Sequence, residues 1–323
     1  KSAVVVLGFE PDDPTGYGRL VTNETGDLDA IVEELDATEE IRRIKLSNSG
    51  VMAISGAHIK DLVNAIDNKN SKDEYYLTDI VEIARNKGLT CKVVISEDTE
   101  LLGVNNRVQL AQAETIAQNR WRQAAMISGV TLIDPQSVFF SHDTEIGRDV
   151  IIEPNVFFGH GVKIEDDVRI KANSHIEGAV IGAGSQIGPF ARLRPGADIA
   201  ADVKIGNFVE VKKSTLEKGA KVSHLSYIGD ARVGADANIG AGTITCNYDG
   251  YDKFKTDIGA GAFIGSNTAL VAPVKIGDGA IIGAGSTVTQ NVEPGALLVE
   301  RAEEIQKSGW ATRFRKMKKR LKK

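Results

Sequence analysis

The chain has 323 residues, 42% of them hydrophobic and 26% charged, with a formal net charge of −5. That length suits two domains, and with no run of eighteen apolar residues it excludes a membrane-spanning helix. Two cysteines, Cys91 and Cys246, are too few for a disulfide framework, so the expected compartment is the reducing cytoplasm.

Residues 1–105 read as part of an α/β domain. The apolar run at 3–7 predicts a strand and is too short for a signal peptide. Asp12-Asp13-Pro14-Thr15-Gly16-Tyr17-Gly18-Arg19 is a turn-rich loop. Residues 28–33 predict a second strand, and a third ends at Ile54. Ile59, Leu62, Val63 and Ile66 give residues 58–67 one apolar helix face. Thr78 is placed to cap another helix that ends at Gly88, and residues 91–95 predict a further strand. No glycine-rich phosphate loop, Walker motif or dinucleotide fingerprint occurs. The domain reads as starting midway, and a half sheet would expose an unpaired edge. An Ala- and Gln-rich helix from 106 to about 128 serves as linker.

From Ile146 onward the period changes to six. Ile146, Ile152, Phe158, Ile164, Ile170 and Ile176 are followed, after a five-residue step, by Ile181, Ile187, Leu193, Ile199, Ile205 and Val211. Two more five-residue steps introduce Leu216, Val222, Ile228 and then Val233, Ile239. The pattern lapses over 245–257 and resumes at Ile258, Ile264, Leu270, Ile276, Ile282 and Val288. Six fits neither a helix nor an alternating strand; it is the period of a hexapeptide β-helix. Each six makes a short strand and a turn, and three sixes close a triangular coil. Residues eighteen apart then stack, spaced like paired strands at roughly 4.8 Å. About eight coils result. The lapse predicts a loop thrown out of the coil. The tail departs in charge: residues 313–323 hold eight Lys/Arg and no acid, leaving −13 on the remainder. Such a tail suits nucleic acid or anionic lipid, although the plain reading is a solvated, partly disordered end with no nucleic-acid partner.

Four stretches carry a resemblance to a known family: residues 12–19, Gly103-Val104-Asn105-Asn106-Arg107, Gly188-Pro189-Phe190-Ala191-Arg192-Leu193-Arg194-Pro195-Gly196, and Ile239-Gly240-Ala241-Gly242-Thr243-Ile244-Thr245-Cys246-Asn247-Tyr248-Asp249-Gly250. With the β-helix they make the chain similar to the bifunctional N-acetylglucosamine-1-phosphate uridyltransferase/glucosamine-1-phosphate N-acetyltransferases. The family's opening nucleotide loop, catalytic Arg and Lys, and metal-binding Asp find no match, so an N-terminal truncation is expected. The resemblance implies the C-terminal part of a Rossmann-like nucleotidyltransferase domain (1–105), a linker helix (106–130), a left-handed parallel β-helix acetyltransferase domain (131–300) and a basic tail (301–323). It implies acetyl-CoA-dependent N-acetylation of glucosamine-1-phosphate in sites shared between subunits of a homotrimer. Uridyl transfer with magnesium, giving UDP-N-acetylglucosamine, is expected to be lost. The rival expectation is a non-catalytic β-helix subunit that assembles or regulates a sugar-nucleotide pyrophosphorylase.

His224 lies two residues after inward Val222 and so points outward. An amine nucleophile must be unprotonated, and an imidazole, whose ordinary pKa is roughly 6.5, can take that proton near neutral pH. By its residues alone it is as readily a surface histidine; the resemblance makes it the general base. Arg194, Lys212, Tyr227 and Asn238 match the sugar-phosphate pocket, where a phosphate dianion wants cations and a bidentate Arg. Ala241, Asn247, Tyr248, Ser266, Ala284 and Arg301 match the acetyl-CoA site, and Lys253 is a weaker phosphate candidate. Backbone N–H groups near Ala241 are candidate oxyanion donors. Gly18, Glu33, Asn48 and Asn105 match the UDP-N-acetylglucosamine pocket, with Asn105 a magnesium ligand whose partner is missing. Cys246 has no adjoining base to make it a nucleophile. His142 and His160, eighteen apart, should stack, but no third His joins them as zinc would require.

Overall fold

The computed structural model describes residues 1–69, 73–104, 106–302 and 304–321. They form two compact units, Lys1–Ala117 and Gln118–Lys323.

The first unit is built on a five-stranded sheet. Its strands are β1 (Val4–Phe9), β2 (Arg19–Thr22), β3 (Leu28–Val32), β4 (Ser47–Ile54) and β5 (Cys91–Ile95), in the order β3-β2-β4-β1-β5. All pairs are antiparallel except β1 with β5. Alternation drives the sheet: Val4 and Val6 are buried, joined by Leu20, Leu28, Ile31 and Cys91. The helices are α1 (Glu39–Arg42), α2 (Ile59–Val63) and α3 (Ile80–Asn86), and Leu62, Ile80, Val81 and Ala84 bring their apolar faces onto the same core.

Two local expectations fail. Arg19 belongs to β2 instead of a loop; it is only 2% exposed and pairs with Glu34 at 2.9 Å. Thr78 does not cap α3. It sits within a 3-10 turn, Leu77–Asp79, and its hydroxyl donates to Glu33 Oε1 at 3.2 Å. Gly88 does end α3: its φ is 74°, and the next amide, Leu89 N–H, reaches back to Ala84 O at 3.0 Å.

Helix α4 (Arg107–Ile127) crosses the division between units. Its second half is more than a linker. Gln118 accepts from Phe140 N–H and donates to Phe140 O, while Arg122 Nε donates to Val138 O at 2.8 Å. Both side chains are buried. They satisfy backbone groups at the start of the coil that would otherwise lack partners.

The coil itself consists of three parallel sheets of eight, ten and eight strands. Val, Ile and Leu fill the interior in one continuous cluster from Val130 to Val292. Stacking is eighteen residues where sixes run unbroken, as Ile152↔Ile170, and seventeen across a five-residue step, as Ile164↔Ile181. The loop is narrower than the lapse suggests. Thr245 occupies an inward position with no exposure; its hydroxyl accepts from Gly229 N–H at 2.8 Å and donates to Gly229 O at 3.0 Å. A polar residue hides the period while filling its place. The chain leaves after Cys246 and returns with the strand Thr256–Ile258. Glycine often follows the inward residue because successive coils meet closely at the corners: a Cβ on Gly206 would lie 1.8 Å from Ser223 O.

Candidate functional site

Position +2 after each inward residue of the ten-stranded sheet lies at one corner of the prism. Asn207, His224, Ala241, Ser266 and Ala284 occupy it in successive coils. Their backbone bonds run upward in one ladder: Leu225 N–H to Asn207 O, Gly242 N–H to His224 O, Asn267 N–H to Ala241 O and Gly285 N–H to Ser266 O. The structure thus gathers the predicted base and the three small residues of the predicted acetyl-CoA set into a single column. Arg301 closes the top, its Nη2 being 3.5 Å from where a Cβ on Gly283 would stand.

His224 ends the strand Lys221–His224 and is exposed. Its Nδ1 meets Asn207 Oδ1 at 2.5 Å. A carboxamide oxygen only accepts, so Nδ1 carries the proton and Nε2 is left with a free lone pair. That is the tautomer a general base needs.

Corner amides add a second feature. At the same +2 position elsewhere, outward N–H groups are taken by carboxylates: Arg148 by Asp166, Ala172 by Glu153, Ala183 by Glu165, Ala235 by Glu217 and Ala260 by Asp278. Among the described residues, the N–H groups of Ala241, Ser266 and Ala284 have no such cap, and that of Ala241 stands one coil above His224.

The neighbouring face carries the cations. Arg194 Nη1 holds Glu210 Oε1 at 2.8 Å, and that hydrogen bond raises the guanidinium pKa above its ordinary value. Glu210 lies in register with Tyr227. Lys212 Nζ lies 3.9 Å from Asp230 Oδ2, which also accepts from Asn247 Nδ2. Asn247 is buried although it begins the loop. Tyr248 is exposed, with Oη donating to Gly250 O. Asn238 shares a coil with Ala241 but stands on the ten-stranded face, in register with Lys221 and Phe263. Lys253 pairs with Tyr248 across the loop by backbone.

Three residues at this site escaped the sequence reading: Asn207, Glu210 and Asp230. The signal was present. Each stands seventeen residues before a predicted one, namely His224, Tyr227 and Asn247. Subtracting one coil length finds them.

Cys246 is half buried, and burial pushes its thiol pKa up, the opposite of an activated nucleophile. His142 and His160 do lie one coil apart on the same face, their rings edge to face with centroids 5.4 Å apart, and Asp143 joins them with all three ligand atoms within 4.8 Å. All three are exposed. Hydrogen bonds from the Ser141 hydroxyl and the Gly161 amide hold the Asp143 carboxyl down to about 2, so that carboxylate is already engaged.

In the first unit, Gly18, Glu33 and Asn48 are brought together. Asn48 N–H donates to Gly18 O at 2.8 Å, and a Cβ on Gly18 would lie 3.4 Å from the Glu33 carboxylate. The loop residues Asp12, Asp13, Thr15 and Tyr17 line a cleft with Gly103 and Asn106. Asn105 lies outside the described residues; one carboxamide is in any case too few oxygens for magnesium.

Three stretches, residues 143–178, 178–213 and 255–290, match the family described as bacterial transferase hexapeptide (six repeats). The bifunctional protein GlmU of Paramagnetospirillum magneticum is 61% identical over 313 residues, which is 97% of this chain and 70% of that protein. GlmU of Zymomonas mobilis is 56% identical over 319 residues, 99% of this chain and 71% of that protein. Among solved structures, the UDP-N-acetylglucosamine acyltransferase LpxA from Bacteroides fragilis aligns over 58% of this chain and 77% of its own, at 21% identity and a TM-score of 0.35.

Proposed function

The chain belongs to the GlmU family of bifunctional proteins, and on that premise we propose that its β-helix unit moves the acetyl group of acetyl-CoA onto the amine of glucosamine-1-phosphate. The observation that carries this reading is the corner column, in which a base with a defined lone pair lies one coil below the uncapped backbone N–H of Ala241.

The chemistry follows from that pairing. The amine nitrogen attacks the thioester carbonyl, forming C–N while Nε2 of His224 takes the amine proton. The developing oxyanion is met by the N–H of Ala241. Collapse breaks C–S, and the proton passes from His224 to the departing thiolate as coenzyme A leaves. Arg194, Lys212, Tyr227 and Asn238 hold the sugar phosphate, with Glu210 keeping the Arg194 fork in place. Ala241, Ser266 and Ala284 leave room for a pantetheine arm along the corner, Asn247 and Tyr248 flank it, and Arg301 meets the nucleotide phosphates. A homotrimer supplies the missing walls. Free Cys91 and Cys246 suit a cytoplasmic setting. The first unit, with Gly18, Glu33 and Asn48, is the part of the uridyltransferase that touches sugar.

A thiol-release assay with acetyl-CoA tests the reading. Release that requires glucosamine-1-phosphate is expected. Release absent at saturating substrate would leave the chain a non-catalytic β-helix subunit.

A further inference from the structure

The tail is not an irregular end. Residues Trp310–Arg320 form helix α5, with no buried residue. At 3.6 residues per turn, Trp310, Phe314, Met317 and Leu321 fall within a stripe about 60° wide. Each is exposed, from 39% for Phe314 to 73% for Leu321. The Trp310 and Phe314 rings stack at 5.0 Å, interplanar angle 9°. The rest of the helix carries Arg313, Arg315, Lys316, Lys318, Lys319 and Arg320 and no acid. Arg313, Lys318 and Arg320 flank the apolar stripe.

We propose that α5 is a surface anchor that lays this aromatic stripe into the headgroup boundary of an anionic phospholipid bilayer. Charge and geometry both select that occupant. An apolar stripe without cations would suit any hydrophobic partner, and cations without the stripe would suit any polyanion. The two together, with cations bordering the stripe, match a surface that is negative outside and apolar beneath. Long Lys and Arg stems keep their charges at the phosphates while the rings go deeper. The remainder of the chain carries −13, so bulk charge does not draw the protein to such a surface; the helix must.

The test uses the full chain with vesicles of phosphatidylcholine alone or with about one-third phosphatidylglycerol. Co-sedimentation should be at least about tenfold stronger with phosphatidylglycerol and should weaken steeply as salt screens the charges. The Trp310 emission, isolated by difference from a Trp310→Phe variant because Trp121 also emits, should move to shorter wavelength. Phe314→Ser with Met317→Ser should abolish that move. Lys316→Glu with Lys318→Glu and Lys319→Glu should abolish co-sedimentation. Equal binding to both vesicles, no binding, or full binding by the triple variant would overturn the proposal. So would a lipid-free blue shift that grows with protein concentration, which assigns the stripe to a second copy, or tighter binding to short RNA than to vesicles.

Discussion

His224 shows how much one side chain owes to its neighbour. An exposed imidazole samples two tautomers, and Asn207 Oδ1 removes one of them. We expect His224→Ala to lower acetyl transfer by roughly 10²–10⁴ while acetyl-CoA binding measured by calorimetry barely changes; a loss under tenfold would remove it from the role. Asn207→Ala should lower kcat by roughly 10–100-fold with little change in KM, and Asn207→Asp, which still accepts from Nδ1–H, should restore most of it. A purely structural Asn207 would show no such rescue. Thr245 makes the complementary point in the core. Thr245→Val keeps the shape and strips both Gly229 amide groups of their partner. That should cost about 1–3 kcal/mol in denaturant unfolding. His224 could be found in the sequence only through resemblance, since a lone His carries no period. Asn207 could be found only once the coil length was known.

At the scale of elements, the coil was legible because its rule is repetitive: one aliphatic residue every six, with glycine where the next coil's backbone presses in. Gly206→Ala puts a Cβ 1.8 Å from Ser223 O, a clash no side-chain rotation relieves. We expect insoluble protein or a melting temperature lowered by several degrees. What the period could not reveal was how the coil closes over the ejected loop. Arg232 does this, with Nε to Glu217 Oε1 at 2.7 Å and Nη1 to Asp257 Oδ1 at 2.9 Å, joining coils before and after the loop. The bond from Arg232 holds the Glu217 carboxyl below its usual range. A depressed folded-state pKa contributes stability above the unfolded value, about 4.3, and loses it as pH falls through the folded value. Arg232→Gln should therefore destabilise at pH 7, by up to about 1 kcal/mol because the groups are one-third exposed, and the difference should shrink as pH falls below about 4.3. A penalty unchanged at low pH would mean packing, not charge, holds the coils. Elements in the first unit were harder to read, because their signals conflict: Arg19 looks like loop yet is a buried strand residue, and Thr78 looks like a cap yet bonds Glu33.

At the scale of the whole molecule, the proposed assembly rests on what one prism leaves open. Phe190, Phe208 and Leu225 stand at one corner, all exposed by about half or more, with Phe190 and Phe208 stacked at 5.1 Å. All three have positive φ, between 51° and 56°. Bulky residues in that region are strained by about 1–3 kcal/mol each, whereas the comparable turns at Asp149, Asn155, Asp167 and Asn173 use side chains that tolerate it. Strain kept in order to expose apolar side chains is a cost with no return in an isolated chain. Burial against a neighbouring prism would offset it at about 25 cal/mol per Å². The same corner adjoins Tyr227 and Glu210, beside the residues proposed to hold substrate. The homotrimer proposed above would cover this ladder on every chain at once and leave no unpaired copy. Sedimentation equilibrium at micromolar concentration should give a trimer, and Phe208→Glu should dissociate it, with acetyl transfer falling by at least about tenfold as the shared wall is lost. Far-ultraviolet circular dichroism should show the coil intact in that variant. A monomeric Phe208→Glu chain that keeps full activity would show that each prism completes its own site.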